Sequence, residues 1–355
     1  MSLWTDRHAF PVVLNTNASA RSTVFDGKIW TVFEIKHEET EDSERRHETR
    51  LYVFDPVSEI FTEINCVYPA GWPKELHTFT ANGSDLYMWR NSIVADPDTD
   101  HNLFKLNRAT FEWESIMMIR TEWYEWWESV VLNEQVMYFL QTVAEEAPFA
   151  LKTIDMQKRE VVETSSLHNI ERIRFLSIHN NNVHLIEDLY GVRKVSRFKN
   201  GRLFELSKHI LTHANSRLSM VPVHCEDSNE YVAYAYGKRF IARNFDFELL
   251  EWETDVTTPD WPTRVNIHNI QSVVKVNGSL YILITTYNRG ETQFEFHELD
   301  LHPKLTSICL ADLTNCFSKN NDAQKLDDVK QKFPIQMRAK LEELLKRRNE
   351  ANKWR

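Results

Sequence analysis

The sequence predicts an all-β fold, a propeller of six four-stranded blades followed by a helical tail. A turn leading into a short apolar run, seen first at 26–33, returns five more times at intervals of about 50 residues. Each interval holds four short runs rich in β-branched and aromatic residues, and one such sheet must stack against copies of itself to bury both faces. The ring-bearing positions of the repeated run are Trp30, Tyr87, Tyr138, His184, Tyr231 and Tyr281.

Turn residues separate the predicted strands of each repeat. In the first repeat the strands are 22–25, 29–35, 51–54 and 60–64, and the first turn is Asp26-Gly27. The strands predicted for the next five repeats, in chain order, are 78–81, 86–90, 103–106, 111–115; 129–132, 136–140, 151–154, 160–163; 175–178, 183–187, 192–198, 202–206; 221–224, 231–236, 239–245, 250–253; and 272–276, 280–285, 294–299, 305–310.

Three features of the repeats carry a family resemblance. They are the ring in the second strand, the third-strand ending Tyr-Val-Phe-Asp-Pro at 52–56, and fourth-strand aromatic residues at 111–113 and 250–252. Over roughly residues 19–310 the chain therefore resembles kelch-type β-propellers, and this resemblance implies a ring of four-stranded blades. Kelch repeats normally end the second strand with paired glycines, whereas this chain has other residues there and only 8 glycines in all.

Four segments are predicted along the chain. Residues 1–18 form an N-terminal lead-in or closing strand, 19–317 the propeller, 318–333 a polar linker, and 334–355 a basic amphipathic helix. Pro334 suits a first helical turn. The apolar stripe of that helix gives it a surface for docking on a partner or on its own propeller, through Leu341, Leu344 and Leu345.

Composition indicates a folded protein with its charge unevenly placed. The hydrophobic content is 42%, enough for a sizeable core, and the formal net charge is −10. Residues 325–355 hold 10 Lys and Arg against 5 Asp and Glu, so the tail is basic and the body acidic. The four cysteines predict neither a disulfide framework nor a zinc site. The first residues resemble no secretory signal, which favours the cytoplasm or nucleus, with no membrane contact.

Catalytic motifs are absent from the sequence. It contains no Gly-x-Ser-x-Gly, no Gly-x-x-x-x-Gly-Lys and no His-Glu-x-x-His. His209 and His213 have the spacing of one helical face but lie in a predicted loop without a third ligand. We therefore expect no catalytic residues, no metal site and no cofactor.

The long connections after the second and fourth strands share one face of the predicted propeller, and loops on a rigid scaffold concentrate binding residues. Aromatic side chains in these loops are candidate anchors for a partner: Trp72, Trp123, Tyr124 and Trp261. Basic residues of neighbouring loops could pair with an acidic peptide or a phosphate: Arg172, Arg174 and Arg264. The alternatives are that the rings pack between blades and that the basic residues form a solvated rim.

These observations favour a non-enzymatic scaffold that binds a peptide or a protein loop on the long-loop face, with the tail helix as a second docking element. One alternative is an RNA-binding component of a ribonucleoprotein, in which the basic loops or tail contact phosphates. Another is a hydrolase or lyase that acts on a carbohydrate, which requires two carboxylates converging near the propeller axis.

Overall fold

The computed structural model of the chain describes residues 3–14, 17–36, 47–69, 75–82, 85–91, 99–121, 126–132, 136–142, 149–167, 173–179, 182–189, 192–210, 219–225, 231–236, 239–246, 251–252, 256–257, 270–288 and 291–300. All regular secondary structure in these ranges is β-strand. The described ranges belong to one compact unit, Trp4–Asp300, apart from Leu3. The predicted linker and tail helix lie outside the described residues.

Four antiparallel sheets of four strands each follow the chain, and in each sheet the strand order is the chain order. Sheet one contains β2 (Asn17–Phe25), β3 (Lys28–Lys36), β4 (His47–Asp55) and β5 (Ile60–Ile64). Sheet two contains β6 (Glu75–Asn82), β7 (Asp85–Asn91), β8 (Thr99–Asn107) and β9 (Glu112–Thr121). Sheet three contains β10 (Trp126–Leu132), β11 (Val136–Thr142), β12 (Phe149–Asp155) and β13 (Glu160–Leu167). Sheet four contains β14 (Ile173–His179), β15 (Asn182–Leu189), β16 (Val192–Lys199) and β17 (Arg202–Ile210).

The remaining strands form a nine-stranded sheet, sheet five. Along it lie β1 (Leu3–Leu14), β25 (Glu291–Asp300), β24 (Ser279–Asn288), β23 (Ile270–Val276), β18 (Ser219–Cys225), β19 (Tyr231–Tyr236), β20 (Arg239–Asp246) and β21 (Glu251–Trp252), and β22 (Val256–Thr257) pairs with β20. A short parallel pairing of β18 with β23 joins its two halves. The sequence predicts the last strand of the sixth repeat at 305–310, which lies outside the described residues. In the structure, the described strand that lies beside β25, opposite β24, is β1.

The first strands of successive repeats form a ring. Strand β2 lies beside β6, β6 beside β10, β10 beside β14, β14 beside β18, β18 beside β23, and β23 beside β2. Side chains of β23 bond to the backbone edge of β2: the N–H of Ala20 donates to Gln271 Oε1 at 3.4 Å, and the N–H of Ser22 donates to Ser272 Oγ at 3.3 Å. The all-β prediction and the prediction of four-stranded antiparallel sheets are confirmed.

Two kinds of turn set the strand registers. Two-residue turns with positive φ at both positions occur at Asp26-Gly27, Asn200-Gly201 and Asn277-Gly278, and this geometry matches the twist of the flanking strands. A longer turn follows β4, β8 and β12, where the side chain of Asp55, Asn107 or Asp155 accepts the N–H groups of the residues two and three positions later. The connection after Asn107 therefore spans four residues, 108–111.

The core lies between successive sheets. Apolar clusters join sheet one to the β23–β25 half of sheet five, and also join sheets one and two, two and three, and three and four. Rings dominate the first of these clusters: Phe33 packs edge-on against Phe294, with centroids 4.8 Å apart, and against Phe10 of β1 at 4.9 Å. The repeated rings Trp30, Tyr87 and Tyr281 belong to three different clusters.

Strand β1 brings a buried histidine to sheet five. His8 Nε2 lies 3.6 Å from Glu298 Oε2 of β25, an ion-pair separation longer than a hydrogen bond, and its ring lies 4.8 Å from that of Phe54. Burial acts to raise the pKa of Glu298, but interactions with His8, Ser279 and Tyr281 outweigh it and lower that pKa overall. The Glu298 carboxylate therefore ties β1 to the rest of the sheet in its ionised form.

Replacing Gly27 by Ala is expected to lower the free energy of unfolding by about 1–2 kcal/mol, because a side chain disfavours positive φ. No atom lies within 4 Å of the added Cβ, so the cost comes from the backbone alone. Urea denaturation of Gly27→Ala measures it. The matched variant Asp26→Asn, which installs the residue found at 200 and 277, should change stability little; equal stability of Gly27→Ala and the native chain would contradict the prediction.

Replacing Glu298 by Gln is expected to destabilise the chain at pH 7, and the difference from the native chain should shrink as the pH falls from about 4.5. A carboxyl whose pKa is lowered on folding stabilises the folded state above its unfolded pKa, and this contribution is lost as the pH falls through the folded pKa. Urea midpoints between pH 3 and 7 test this. Exposed Glu160→Gln is the control; a pH-independent difference for Glu298→Gln would refute the assignment.

Candidate functional site

The residues predicted from the sequence to bind a partner are not tested by the structure. Arg174 lies in β14, but its side chain is not among those described. The other candidates lie outside the described residues: Trp72, Trp123, Tyr124, Trp261, Arg172, Arg264, Leu341, Leu344 and Leu345. Their proposed roles, the predicted protein or RNA partners and the cytoplasmic or nuclear location stay predictions.

A buried ion pair links sheets one and two. Glu34, near the end of β3, accepts a hydrogen bond at 2.6 Å from Arg90 Nη2, near the end of β7. The Arg90 side chain is 1% exposed and the Glu34 side chain 7%. Both residues lie at the end of their sheets where the second strand connects to the third, so this pair stands beneath the predicted long-loop face.

Arg21 lies beside this pair on the first strand. Ser19 and Glu34 are paired residues of β2 and β3, and Arg21 follows two positions later on the same face as Ser19. The Arg21 side chain is exposed. Desolvation by the surrounding protein lowers the pKa of its guanidinium, and the negative charge of the nearby Glu34 carboxylate acts in the opposite direction. Arg21 is therefore an exposed cation close to the buried Glu34–Arg90 pair.

The outer side of the pair is also polar. The Tyr68 hydroxyl donates to the backbone carbonyl of Thr49 at 3.1 Å, and Thr49 is the strand partner of Glu34. Burial is the main cause of the raised pKa of Tyr68, whereas the charge of Arg90 acts in the opposite direction. A line of polar groups thus runs between sheets one and two, from Arg21 on the first strand to Tyr68; we call this line the Arg21–Tyr68 seam.

Other sheets also hold charged groups near the same end. In sheet four, Lys194 Nζ lies 3.3 Å from Glu187 Oε1 and 3.6 Å from Glu205 Oε2. In sheet five, buried His297 lies 3.3 Å from Glu295. In both cases the paired groups belong to one sheet. Only the Arg21–Tyr68 seam, among the described residues, combines a buried pair with an exposed charge on a first strand.

The chemistry available at the seam is that of one carboxylate between two guanidinium groups. Glu34 can accept a proton, Arg90 holds it in position, and Arg21 can donate hydrogen bonds to a ligand. Glycoside hydrolysis would require a second carboxylate that converges on the same point. No set of three or more potential metal-ligating side chains occurs among the described residues.

Sequence reasoning missed these three residues because it searched the loops. Glu34 and Arg90 lie inside predicted strands, 29–35 and 86–90, where a charged side chain interrupts an otherwise apolar run. A charge at such a position must be paired when the sheets stack. That rule could have identified both residues, although not the pairing between them.

The described ranges contain no helix long and apolar enough to cross a membrane.

The comparisons show similarity of structure without similarity of sequence. No family model matches the chain, and no curated protein matches it. A protein of unknown function from Dyadobacter fermentans has a TM-score of 0.54 and 8% identity, with 85% of this chain and 99% of that chain covered. The periplasmic gluconolactonase PpgL of Pseudomonas aeruginosa has a TM-score of 0.46 and 12% identity, covering 79% and 85%. The β-propeller domain of the Trilobed protease from Pyrococcus furiosus, with an open velcro topology, has a TM-score of 0.46 and 10% identity, covering 80% and 96%.

These findings support the propeller part of the sequence prediction and give no support to the kelch part. The prediction of a non-enzymatic scaffold is not supported by these neighbours, which include a protein named as a gluconolactonase. The prediction that the chain is not an enzyme is corrected with it. The similarity concerns the fold alone and assigns no reaction to this chain.

Breaking the Glu34–Arg90 pair from one side is expected to cost about 3–5 kcal/mol of stability, because a buried charge loses its partner. Replacing both residues, as Glu34→Leu with Arg90→Met, should restore most of that loss. Urea denaturation of the two single variants and the double variant measures the coupling.

The exposed pair Glu48–Arg50 is a matched control, since its separation is also 2.6 Å but its side chains are 40% and 34% exposed. Its coupling should be below about 1 kcal/mol. Equal coupling free energies for the two pairs would show that burial does not determine how strongly Glu34 and Arg90 interact.

Proposed function

We propose that the chain is an enzyme that acts on a carbohydrate-derived substrate bound at the first strands around Arg21. The observation that supports this proposal is the exposed Arg21 guanidinium beside the buried Glu34–Arg90 pair. A buried ion pair adds little net stability compared with apolar packing, and charged groups held in recessed positions are concentrated at functional sites. The seam therefore has the character of a site rather than of ordinary core.

The accessible side chains near Arg21 suit a polyhydroxylated ligand. The partly accessible polar groups beside Arg21 on the first strands include the hydroxyl of Ser19 and the amide of Gln271. Gln271 is held at both ends of its amide, by the Ala20 N–H and by Thr285 Oγ1 at 3.5 Å. Hydroxyl and amide groups donate and accept hydrogen bonds, as sugar hydroxyls require.

Hydrolysis of a lactone or ester is the reaction that one carboxylate can support. Glu34 accepts a proton from water, and the water oxygen attacks the carbonyl carbon. The bond from that carbon to the ester oxygen breaks, and the departing oxygen takes the proton back from Glu34. Arg90 positions the carboxylate, and Arg21 contacts the substrate. This reaction needs no second carboxylate, whereas glycoside hydrolysis does.

We also propose that the ring of first strands belongs to six blades. Sheets one to four supply four, and sheet five divides at the parallel β18–β23 pairing into two more. Among the described residues three pairs join these halves, Val223 with Val273, His224 with Val274 and Cys225 with Lys275. In this arrangement β1 completes the sixth blade, and we propose that residues 334–355 form a helical tail.

The test is hydrolysis of a panel of sugar lactones, with and without a 6-phosphate, by the purified chain. We expect turnover by the native chain and a fall in kcat of about 10²-fold or more in Glu34→Leu/Arg90→Met, the size of a lost general base. That double variant removes the carboxylate and is expected to stay folded, which circular dichroism verifies.

The control is Glu48→Gln/Arg50→Met, which removes an exposed pair and should keep the native rate. Failure of the native chain to hydrolyse every lactone in the panel would overturn the proposal. So would full activity in the folded Glu34→Leu/Arg90→Met variant, because the seam would then take no part in the reaction.

A further inference from the structure

The Arg21–Tyr68 seam carries an excess of positive charge. Within the described part of the chain Arg90 and Glu34 form a neutral pair, so Arg21 contributes one positive charge that no ion pair there compensates. The nearest exposed pair on β4, Glu48 with Arg50, is neutral as well. This local balance stands out because the formal charge of the whole chain is −10.

The hydrogen-bonding capacity of Arg21 is almost unused within the described part of the chain. A guanidinium has five N–H donors in a planar fork. There its one hydrogen bond runs from Nη1 to the backbone carbonyl of Gln271, at 3.5 Å in an exposed setting, which is a weak contact. Glu34, the carboxylate near Arg21, is already bound by Arg90 at 2.6 Å.

The surroundings of Arg21 favour a charged partner over a neutral one. Protein around the guanidinium removes part of its hydration, and an opposite charge then interacts more strongly than in bulk water. Carboxylates and phosphates match the fork of an arginine with two parallel hydrogen bonds. A neutral hydroxyl offers one acceptor atom and no charge.

We infer that Arg21 binds an anionic group of the substrate, a carboxylate or a phosphate, so that the substrate class is that of sugar acids and sugar phosphates. This inference rests on the proposed function, because it takes the anionic group to be part of the substrate. The binding of an anion by Arg21 can nevertheless be measured without any reaction. The Arg21 guanidinium makes its weak contact with the backbone carbonyl of Gln271, and Ser19 lies on the same face of β2.

The experiment is isothermal titration of the native chain and of Arg21→Gln with inorganic phosphate, gluconate and neutral glucose. We expect the native chain to bind phosphate or gluconate, and Arg21→Gln to bind that anion at least about tenfold more weakly, since a hydrogen bond to a charged group contributes 1.5–3 kcal/mol. Glucose affinity should not change. Arg21→Lys keeps the positive charge but loses the planar guanidinium, so its affinity for the anion should lie between those of the native chain and Arg21→Gln.

The matched control is Arg202→Gln, which removes an exposed arginine of β17 and should leave anion binding unchanged. Absence of anion binding by the native chain, or equal binding by folded Arg21→Gln, would overturn the inference. The outcomes separate the two proposals. Anion binding at Arg21 without lactone hydrolysis would refute the proposed reaction alone, and lactone hydrolysis without anion binding at Arg21 would refute this inference alone.

Discussion

Each four-stranded sheet must bury both of its faces, and the rest of the structure depends on this constraint. A single sheet exposes one face or both to water, whereas a ring of sheets covers every face with a neighbour. The apolar clusters between successive sheets are the result. Burying a single large apolar side chain contributes about 1.5–3 kcal/mol, so these interfaces supply the main driving force for folding.

The same constraint explains why the charged seam is informative. An interface that is otherwise apolar accommodates Glu34 and Arg90 only because they are bonded to each other at 2.6 Å. Apolar residues of similar volume would fill the same space at lower cost. The presence of a charged pair at this position therefore suggests a role in binding or catalysis. Arg21, which is exposed, is the group that a ligand from solvent would contact.

Much of the fold could be predicted from the sequence because it depends on local signals. The repeated ring positions mark the second strands, and Trp30, Tyr87 and Tyr281 occupy the interfaces that their repetition implies. Asp26-Gly27 is predictable as a turn because few other residues adopt positive φ. The conformation of the Asn107 turn is not, since it depends on side-chain hydrogen bonds that residue type alone does not reveal.

The candidate site could not be predicted in the same way. Glu34 and Arg90 are 56 residues apart, and their contact exists only because two sheets stack in one register. The position of β1 beside β25 depends on a similar long-range pairing, which the sequence left open between a lead-in and a closing strand. The aromatic residues of the loops predicted a protein-binding face, whereas the charged residues of the candidate site, Arg21, Glu34 and Arg90, lie within strands.

The place of β1 has a consequence for how the chain is made. This strand is synthesised before the other described strands, yet its neighbour β25 begins only at Glu291. Until β25 has been made, β1 has no sheet to join, and its backbone groups must stay hydrated or find temporary partners. Completion of sheet five must therefore wait for β25, and any early partner of β1, whether a chaperone or another nascent chain, would compete directly with it.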